Sequence, residues 1–298
     1  MSSVDNDQLN IQFKNRYEMI EDPAGRQVRI LKDGAAFEIA SACDVSIHDV
    51  YKGALREGIT PYRYIRNRDA ISSKEQLTLA ESHVGVVGSG GLGGQVILLL
   101  ARIGVGHFTV IDRDMFDETN LNRQALSSLE SLGKYKSEEA VRVVASVNPG
   151  VRVTSFNTAL DGTNAEDMLN GVDVIVDALD NVSGRFILEK AAGKLRVPLV
   201  HGALAGFEGQ LMTIFPGDRG LTLLYGSEGS NSDRRKRPEA ILGVPALTPA
   251  FIATLQAMEV VKIILKRSQL HRNAMVHVDL ENGEINRFTF EEITDHTL

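Results

Sequence analysis

His83 to Asp112 reads HVGVVGSGGLGGQVILLLARIGVGHFTVID, and the fold follows from this stretch. The short apolar run Val84-Gly85-Val86-Val87 predicts a strand. Gly88-Ser89-Gly90-Gly91-Leu92-Gly93 predicts a turn, Val96 to Ile103 an apolar helix, and His107 to Ile111 a second strand that ends at Asp112. Strand, glycine-rich turn, helix, strand and acid, in that order, describe a nucleotide-binding βαβ unit. Gly88 lets the chain turn sharply, Gly90 lets backbone N–H groups approach phosphate oxygens, and Gly93 lets the helix lie close on the strand. The helix start at Gly91 and Leu92 presents unpaired N–H groups and the positive dipole end to an anion. Asp112 falls roughly 20 residues past the glycines, the position of an acid that binds ribose hydroxyls. A glycine pattern alone is a weak signal. Strand, helix and acid in register with it make it a strong one.

Around this unit, 298 residues allow one large or two smaller domains with ample core. Hydrophobic content of 43% and charged content of 24% are those of an ordinary globular chain. A net charge of −7, from 32 basic and 39 acidic residues, provides no basic field for nucleic acid. No apolar run is expected to span a membrane, and MSSVDNDQLN lacks a signal-peptide apolar segment, so the expectation is a cytoplasmic protein. Cys43 is the single cysteine, which rules out an intrachain disulfide and a CxxC zinc site. It lies in an amphipathic stretch without a neighbouring His pattern, so a packing role is expected.

Upstream, residues 1–62 differ in texture and read as a mixed, mainly helical module, with 63–298 as the nucleotide-binding domain. Short elements flank a turn at Asp22-Pro23-Ala24-Gly25. Ile39, Ala42, Val45, Val50 and Ala54 suit two short amphipathic helices around a turn near Asp44, with Ser46 capping the second. This resembles a helix-turn-helix, but only Lys52 and Arg56 supply cations there, too few for DNA. A packing or partner-binding role is favoured. Ser72 or Ser73 is expected to cap a linker helix through Leu79.

Downstream, Asn120-Leu121-Asn122-Arg123-Gln124 follows Asp112 in a polar run that a dehydrogenase does not need. Arg123 can give paired, planar N–H donors to phosphoryl oxygens. Gly133-Lys134-Tyr135-Lys136 leads a helix bearing Ala140, Val143, Val144 and Val147. Two lysines at a helix start oppose the dipole unless an anion is present or the pair is simply solvated. Val151 to Phe156 predicts a strand, and Gly162 to Leu169 a short helix with Asn164 as cap. Val172 to Asn181 reads as a buried parallel strand ending in Asp177, Asp180 and Asn181, beyond the carboxyl end, where ligands bind in open α/β sheets. Asp180 either holds Mg²⁺ through one carboxylate oxygen or caps the next helix. Pro198 to Ala203 and the alternating Glu208 to Phe215 predict two more strands, the second antiparallel. Gly226 to Glu239 reads as a mobile polar loop whose Arg234-Arg235-Lys236-Arg237 run is solvated. Thr248-Pro249 is expected to open a helix with proline at its first position, and an Asn282-Gly283 turn to close a final hairpin.

From Arg63 onward the chain resembles the ThiF/MoeB/HesA family, relatives of the ubiquitin-activating enzymes. The matching pieces are RYIRN, VVGSGGLGG, VID with NLNRQ, GKYK, VDALDN-VSGR, HGALAGFEGQ and LQAMEVVK. The resemblance implies an α/β, Rossmann-like, mostly parallel sheet flanked by helices, with antiparallel C-terminal strands and the small N-terminal extension. It also implies an adenylyltransferase that uses ATP and Mg²⁺ to activate the C-terminal glycine of a ubiquitin-like sulfur carrier ending in Gly-Gly. On the matching positions, the loop Gly88, Gly90, Gly91, Leu92 and Gly93 would cradle phosphate and Asp112 would hold ribose. Asn120, Arg123, Gln124 and Lys136 would surround the phosphates, with Asn181 beside Asp180, the acid associated with Mg²⁺ and turnover. Arg66 matches an arginine that reaches into the partner's site in the family's homodimers.

Two departures qualify this. Where many family members carry two CxxC pairs for zinc, this chain has Leu221 to Gly226 and Pro238 to Gly243, so no zinc is expected and apolar packing must hold the region. There is also no cysteine in the Gly226–Glu239 loop, so the reaction is expected to stop at acyl-adenylate or pass it to an external sulfur donor. Other readings stay open: adenylation of a peptide or modified tRNA carboxylate, an NAD-dependent oxidoreductase, or a nucleotide-sensing DNA regulator.

Overall fold

A computed structural model describes residues 3–226, 238–267 and 269–290. The chain opens with α1 (Ser3–Lys14), β1 (Glu18–Glu21), β2 (Gln27–Leu31), α2 (Asp33–Cys43), α3 (Ile47–Arg56) and β3 (Thr60–Pro61). Leu9, Phe13, Leu31, Ile39, Val50, Tyr51 and Ala54 form a small apolar core of their own here. Asp44 takes the left-handed conformation (φ 53°) that turns α2 into α3, and Ser46 caps α3 by accepting from Asp49 N–H at 3.2 Å. The two-helix expectation therefore holds.

The helix-turn-helix function does not. A reading helix must present one face to DNA, but α3 buries His48, Val50, Tyr51, Gly53, Ala54 and Leu55. His48 Nδ1 lies 3.0 Å from Gly150 O, and Lys52 and Arg56 are paired with Asp49 and Glu81. The module is pinned further where Arg63 bridges the Asp33 carboxylate and the Val147 carbonyl.

The main body follows as α4 (Ser73–Glu81), β4 (His83–Val87), α5 (Gly91–Ile103), β5 (His107–Ile111), α6 (Lys136–Val147), β6 (Arg152–Phe156), α7 (Ala165–Met168) and β7 (Val174–Asp177). After these come α8 (Val182–Leu195), β8 (Leu199–Ala205), β9 (Glu208–Ile214), α9 (Thr222–Tyr225), α10 (Pro238–Leu242), α11 (Leu247–Ile264), β10 (Ala274–Asp279) and β11 (Glu284–Thr289). The eight strands lie in the order β11-β10-β9-β8-β7-β4-β5-β6. The five from β6 to β8 are parallel, and β9, β10 and β11 run antiparallel.

The period-2 rule explains how both faces are covered. Along β7, Val174 and Val176 join one apolar cluster with Leu100, Ala253 and Val260, while Ile175 joins the opposite one with Phe186, Leu188 and Leu199. The sheet is therefore a buried middle layer. Strand order reverses at β4, the first strand of the unit, with β5 and β6 on one side and β7 and β8 on the other, and a crevice lies at the carboxyl ends of β4 and β7.

Some local expectations change. Ser72, not Ser73, caps α4, through a full capping box with Glu75. Asn164 occupies the cap position of α7, but its side chain bonds back to Asp161 N and Ala159 O and caps nothing. Pro238 and Glu239 open α10 and so do not belong to the expected loop, whose remainder from 227 to 237, with the Arg234 to Arg237 run, lies outside the described residues. Helix α11 starts at Leu247, placing Pro249 within its first turn, where the missing N–H is harmless. At 18 residues this helix is long and apolar enough to cross a membrane, contrary to the expectation from sequence. Ile252, Ala253, Ala257, Val260 and Val261 are instead buried in the main apolar cluster, as in a core helix. The last hairpin closes through Leu280 to Gly283, with Gly283 taking the left-handed conformation (φ 72°).

Where the small module meets the sheet, burial pushes His48 and His107 down to about 4, His107 also through the ring of His83 stacked at 3.8 Å. An unfolded histidine titrates near about 6.5, so between that value and 4 the unfolded chain binds more protons than the folded one. Stability should therefore be full above about pH 6.5 and decline as pH falls toward 4. Thermal melts from pH 7.5 to 5 are expected to show a falling Tm, with a shallower slope in His107→Gln; equal slopes would refute the assignment.

Candidate active site

The crevice at the carboxyl ends of β4, β5, β7 and β8 is a cleft of about 1050 Å³. Gly88 leaves β4 with φ 89°, and a Cβ there would stand 2.5 Å from Ala178 O, so only glycine fits. Gly90 is the N-cap of α5 and carries no side chain to bond its first turn, so the N–H groups of that turn are presented to the cleft. Gly88, Gly90, Gly91 and Leu92 line it. Gly93 does not. A Cβ on Gly93 would lie 1.8 Å from Gly88 O, so its role is the close packing of helix on strand read from the sequence.

Asp112 sits at the end of β5 on the cleft wall, as expected. Its carboxylate also organises the loop: Oδ2 accepts from Ser89 N (2.7 Å) and Ser89 Oγ (3.0 Å), and Oδ1 from Asp114 N (2.8 Å). An ionised carboxylate has about four acceptor sites, so one remains for a ligand hydroxyl.

The polar run after Asp112 folds back over the glycine loop. Asp117 and Asn120 cap a 3-10 turn reciprocally, and Asn120 Oδ1 accepts from Asp117 N at 3.1 Å. That turn delivers Arg123, whose Nη1 is held by Thr119 O (2.9 Å) and Asn122 Oδ1 (2.8 Å), and Gln124, whose amide abuts Gly90. Gln124 is buried, and its Oε1 has no protein partner. A buried acceptor left so costs about 1–3 kcal/mol, which marks the spot as one built for a ligand.

Lys136 begins α6 and is 7% exposed, with Nζ 3.6 Å from an Asp114 carboxylate oxygen and 6.0 Å from the centre of the Phe116 ring. A buried ammonium at a helix N-terminus opposes the dipole. Its one carboxylate partner is 60% exposed and screened by water, so the site retains positive character toward the cleft.

Across the cleft, Asp180 and Asn181 lie in the turn between β7 and α8. Asn181, not Asp180, caps α8, accepting from Gly184 N at 2.8 Å, and this leaves Asp180 exposed on the cleft wall beside Asn181 Nδ2 (3.2 Å). Asp180 is thus not the helix cap. An exposed carboxylate on the cleft wall suits Mg²⁺, which keeps most of its waters and takes one or two carboxylates.

Two residues lie outside this cleft: Asp177, against expectation, and Arg66, which was expected to serve a partner subunit's site. Arg66 is exposed in the 3-10 turn Tyr62–Asn67 and lies outside this chain's own cleft. Asp177 is fully buried behind the wall, not in it.

Asp177 anchors a network that sequence reading missed. Its Oδ2 lies 2.7 Å from His201 Nδ1; His201 Nε2 lies 3.0 Å from the Tyr225 hydroxyl, which accepts from Arg185 Nη1 (2.7 Å) and Gln210 Nε2 (2.9 Å). With both its lone pairs taken, Tyr225 must donate to His201 Nε2, so the His201 proton is on Nδ1 and points at Asp177. Burial pushes the imidazole of His201 below its ordinary value, only partly offset by Asp177, and pushes the Tyr225 phenol up. The available signal was a histidine, His201, following the apolar Leu199 and Val200 of a central strand, where a polar side chain needs a partner.

The profile of the ThiF family matches residues 64–296. The chain belongs to this family. It is 32% identical over 240 residues to the SAMP-activating enzyme E1 of Haloferax volcanii, covering 79% of this chain and 85% of that protein. The sulfur carrier protein adenylyltransferase of Thermus thermophilus is 33% identical, across 65% of this chain and 73% of its own length. The adenylyltransferase and sulfurtransferase MOCS3 of Arabidopsis thaliana is 35% identical, and this chain spans about half of it (51%). Among solved structures, E. coli MccB with ATP superposes with a TM-score of 0.67 at 20% identity, covering 87% of this chain and 84% of that one. At that identity the likeness concerns the fold. The family match makes the chain an adenylyltransferase-type enzyme, so the expected α/β class and family stand and the oxidoreductase and regulator readings fall.

The geometry sets an expectation for Lys136. Lys136→Met removes a poorly paired buried charge while keeping the stem, so Tm should stay level or rise, while ATP affinity measured by calorimetry falls at least tenfold. Unchanged affinity would remove Lys136 from the phosphate site.

Proposed function

We propose that this enzyme uses MgATP to adenylate the C-terminal glycine carboxylate of a ubiquitin-like sulfur-carrier protein ending in Gly-Gly, releasing pyrophosphate. The observation that carries the reading is the convergence of the α5 N-terminus, Arg123 and the buried Lys136 on one cleft, with the Asp180 carboxylate opposite. The names of its relatives support the substrate class.

The residues divide the work by position. The N–H groups at Gly90 to Leu92 hold phosphate, and Asp112 takes a ribose hydroxyl with its remaining acceptor site. Lys136 and Arg123 balance charge that accumulates at the α-phosphate as the carboxylate oxygen attacks and pyrophosphate departs, an effect strengthened in a partly desolvated cleft. Asp180 and Asn181 fit one Mg²⁺, which when bound would neutralise phosphate charge. Asn120 fixes the turn that carries Arg123, and the Gln124 amide beside Gly90 meets the bound nucleotide. No protein nucleophile is needed, and catalysis is by orientation and electrostatics.

The reaction stops at the acyl-adenylate or passes it to an external sulfur donor. Cys43 lies in α2, within the separate N-terminal core, and is no candidate for a thioester at the cleft. Zinc is not required where Leu221 is fully buried and Leu223, Leu224 and Tyr225 pack beside it. Arg66, exposed on the surface, serves the cleft of the second subunit of a cytoplasmic homodimer.

ATP–pyrophosphate exchange with a panel of Gly-Gly-ending carriers and of short peptides tests the reading. Carrier-dependent exchange is expected, and exchange driven only by peptides would overturn the substrate class. The subunit arrangement has its own test: Arg66→Ala and Asp180→Asn variants, each strongly impaired but measurable, should regain exchange when mixed, because one site per mixed dimer then has both residues. No recovery in a mixture shown to have exchanged subunits would overturn the in-trans role of Arg66, and wild-type exchange in Arg66→Ala alone would place it outside catalysis.

A further inference from the structure

The network behind the cleft wall closes on itself. Asp177 bonds His201, His201 meets Tyr225, Tyr225 accepts from Arg185, and Arg185 Nη2 donates to Leu179 O at 2.7 Å. Leu179 N then returns to Asp177 Oδ1 at 3.0 Å. The residue after Leu179 is Asp180. We propose that Tyr225 is a positioning residue which, through Arg185, sets the turn bearing Asp180; this rests on the adenylation reading and extends it to the wall opposite the glycine loop.

Three observations carry it. First, the Leu179–Asn181 turn is gripped on both polar groups of Leu179, the N–H by Asp177 and the carbonyl by Arg185. Strand β7 ends at Asp177, so these bonds, the Asn181 cap and the Ala178 N–H bond to Val87 O (3.0 Å) hold the turn. Second, Arg185 is long, and its two hydrogen bonds go one to the turn and one to the Tyr225 hydroxyl. Its Nε is buried without a hydrogen-bond partner and forms only a longer ion pair with Asp177 (3.8 Å), so the Tyr225 bond is the shorter constraint on the end that faces away from the turn. Third, the ring joins four elements that the fold brings together only here: β7, β8, α8 and α9. Gln210 from β9 adds a fifth by donating to the same hydroxyl.

A purely structural network would be expected to lie deep in an apolar layer. This one has two members, Tyr225 and Arg185, in the cleft wall itself, next to Asp180. Its polar groups are matched with one histidine tautomer, which fixes a single arrangement of the turn. Adenylation demands that kind of fixity, because an acid misplaced by about 1 Å in such a site costs roughly a hundredfold in rate.

Tyr225→Phe is the appropriate variant. It keeps the ring that lies 5.4 Å from the Arg185 guanidinium carbon and removes only the hydroxyl. The experiment is a double-mutant cycle with Asp180→Asn, read by pyrophosphate exchange and by calorimetric ATP binding with and without Mg²⁺. Expected are a fall in kcat of at least tenfold with KM for ATP within about threefold, and a further loss of under twofold when Tyr225→Phe is added to Asp180→Asn. In binding, both single variants should lose the same part of the Mg²⁺-dependent tightening. A wild-type kcat in Tyr225→Phe, or losses that multiply in the double variant, would overturn the proposal, as would Mg²⁺ tightening unchanged by Tyr225→Phe while Asp180→Asn loses it. If the wild-type protein shows no exchange with any substrate, the adenylation reading fails instead. The binding arm then still decides whether Tyr225 and Asp180 act as one unit.

Discussion

Among the described glycines, the closest approach of backbone to backbone is the seat of α5 on the end of β4. A methyl group at Gly93 would stand 1.8 Å from the Gly88 carbonyl oxygen, and one at Gly88 would meet Ala178 O at 2.5 Å. No rotamer change relieves a clash with backbone. The helix therefore starts directly at the strand end, its first-turn N–H groups at the crevice between β4 and β7. The rest of the cleft is placed around that start. The Asp112 carboxylate ties Ser89 of the loop to the end of β5, the polar run folds back so that Gln124 meets Gly90, and Asp114 receives the amide of Lys136 at the head of α6. One close backbone approach thus sets the position of every group on the phosphate side.

The opposite wall is organised by a different principle. The phosphate side is built from backbone donors and long cations, which tolerate small shifts because dipole and charge act over several ångströms. The Asp180 side depends on hydrogen bonds, which weaken steeply with distance and angle. That difference explains the greater investment of buried polar groups there. Asp177, His201 and Gln256 are all fully buried, and Gln256 Nε2 reaches Asp177 O and Val200 O from α11. Such groups are costly to bury unless fully bonded, so their presence at a strand end signals that position matters more than stability.

Much of this was legible from residues alone because the nucleotide unit is local. Its strand, turn and helix are contiguous, and the acid that follows is at a fixed spacing, so Gly88 to Asp112 could be read in one pass. Asp180 could be placed for a similar reason: a buried apolar strand that ends in acids projects them beyond the carboxyl end. Asn181 as the α8 cap is subtler, since Asp and Asn are nearly equal caps and only the backbone geometry selects between neighbours. The ring through His201, Tyr225 and Arg185 was not legible. Its members lie 16 to 40 residues apart along the chain and meet only because β8 pairs with β7 and α9 folds back over them. Long-range polar contacts of this kind leave no periodic trace. The two short helices of the N-terminal module were legible by periodicity, and the scarcity of cations already argued against DNA; which face α3 buries was visible only in the structure.

The antiparallel extension of the sheet then has a chemical consequence as well as an architectural one. A purely parallel unit would end at β8. By adding β9 in antiparallel register, with Gly202 opposite Leu211 and Ala203 opposite Gln210, the chain brings Gln210 to the Tyr225 hydroxyl. Leu221 and its neighbours, packed in the apolar cluster with Phe186 and Leu188, carry Tyr225 to the same point. Apolar packing is non-directional, so it does not by itself fix the orientation of a side chain. The hydrogen bonds to His201, Arg185 and Gln210 supply that direction, so packing places the tyrosine and polar bonds aim it.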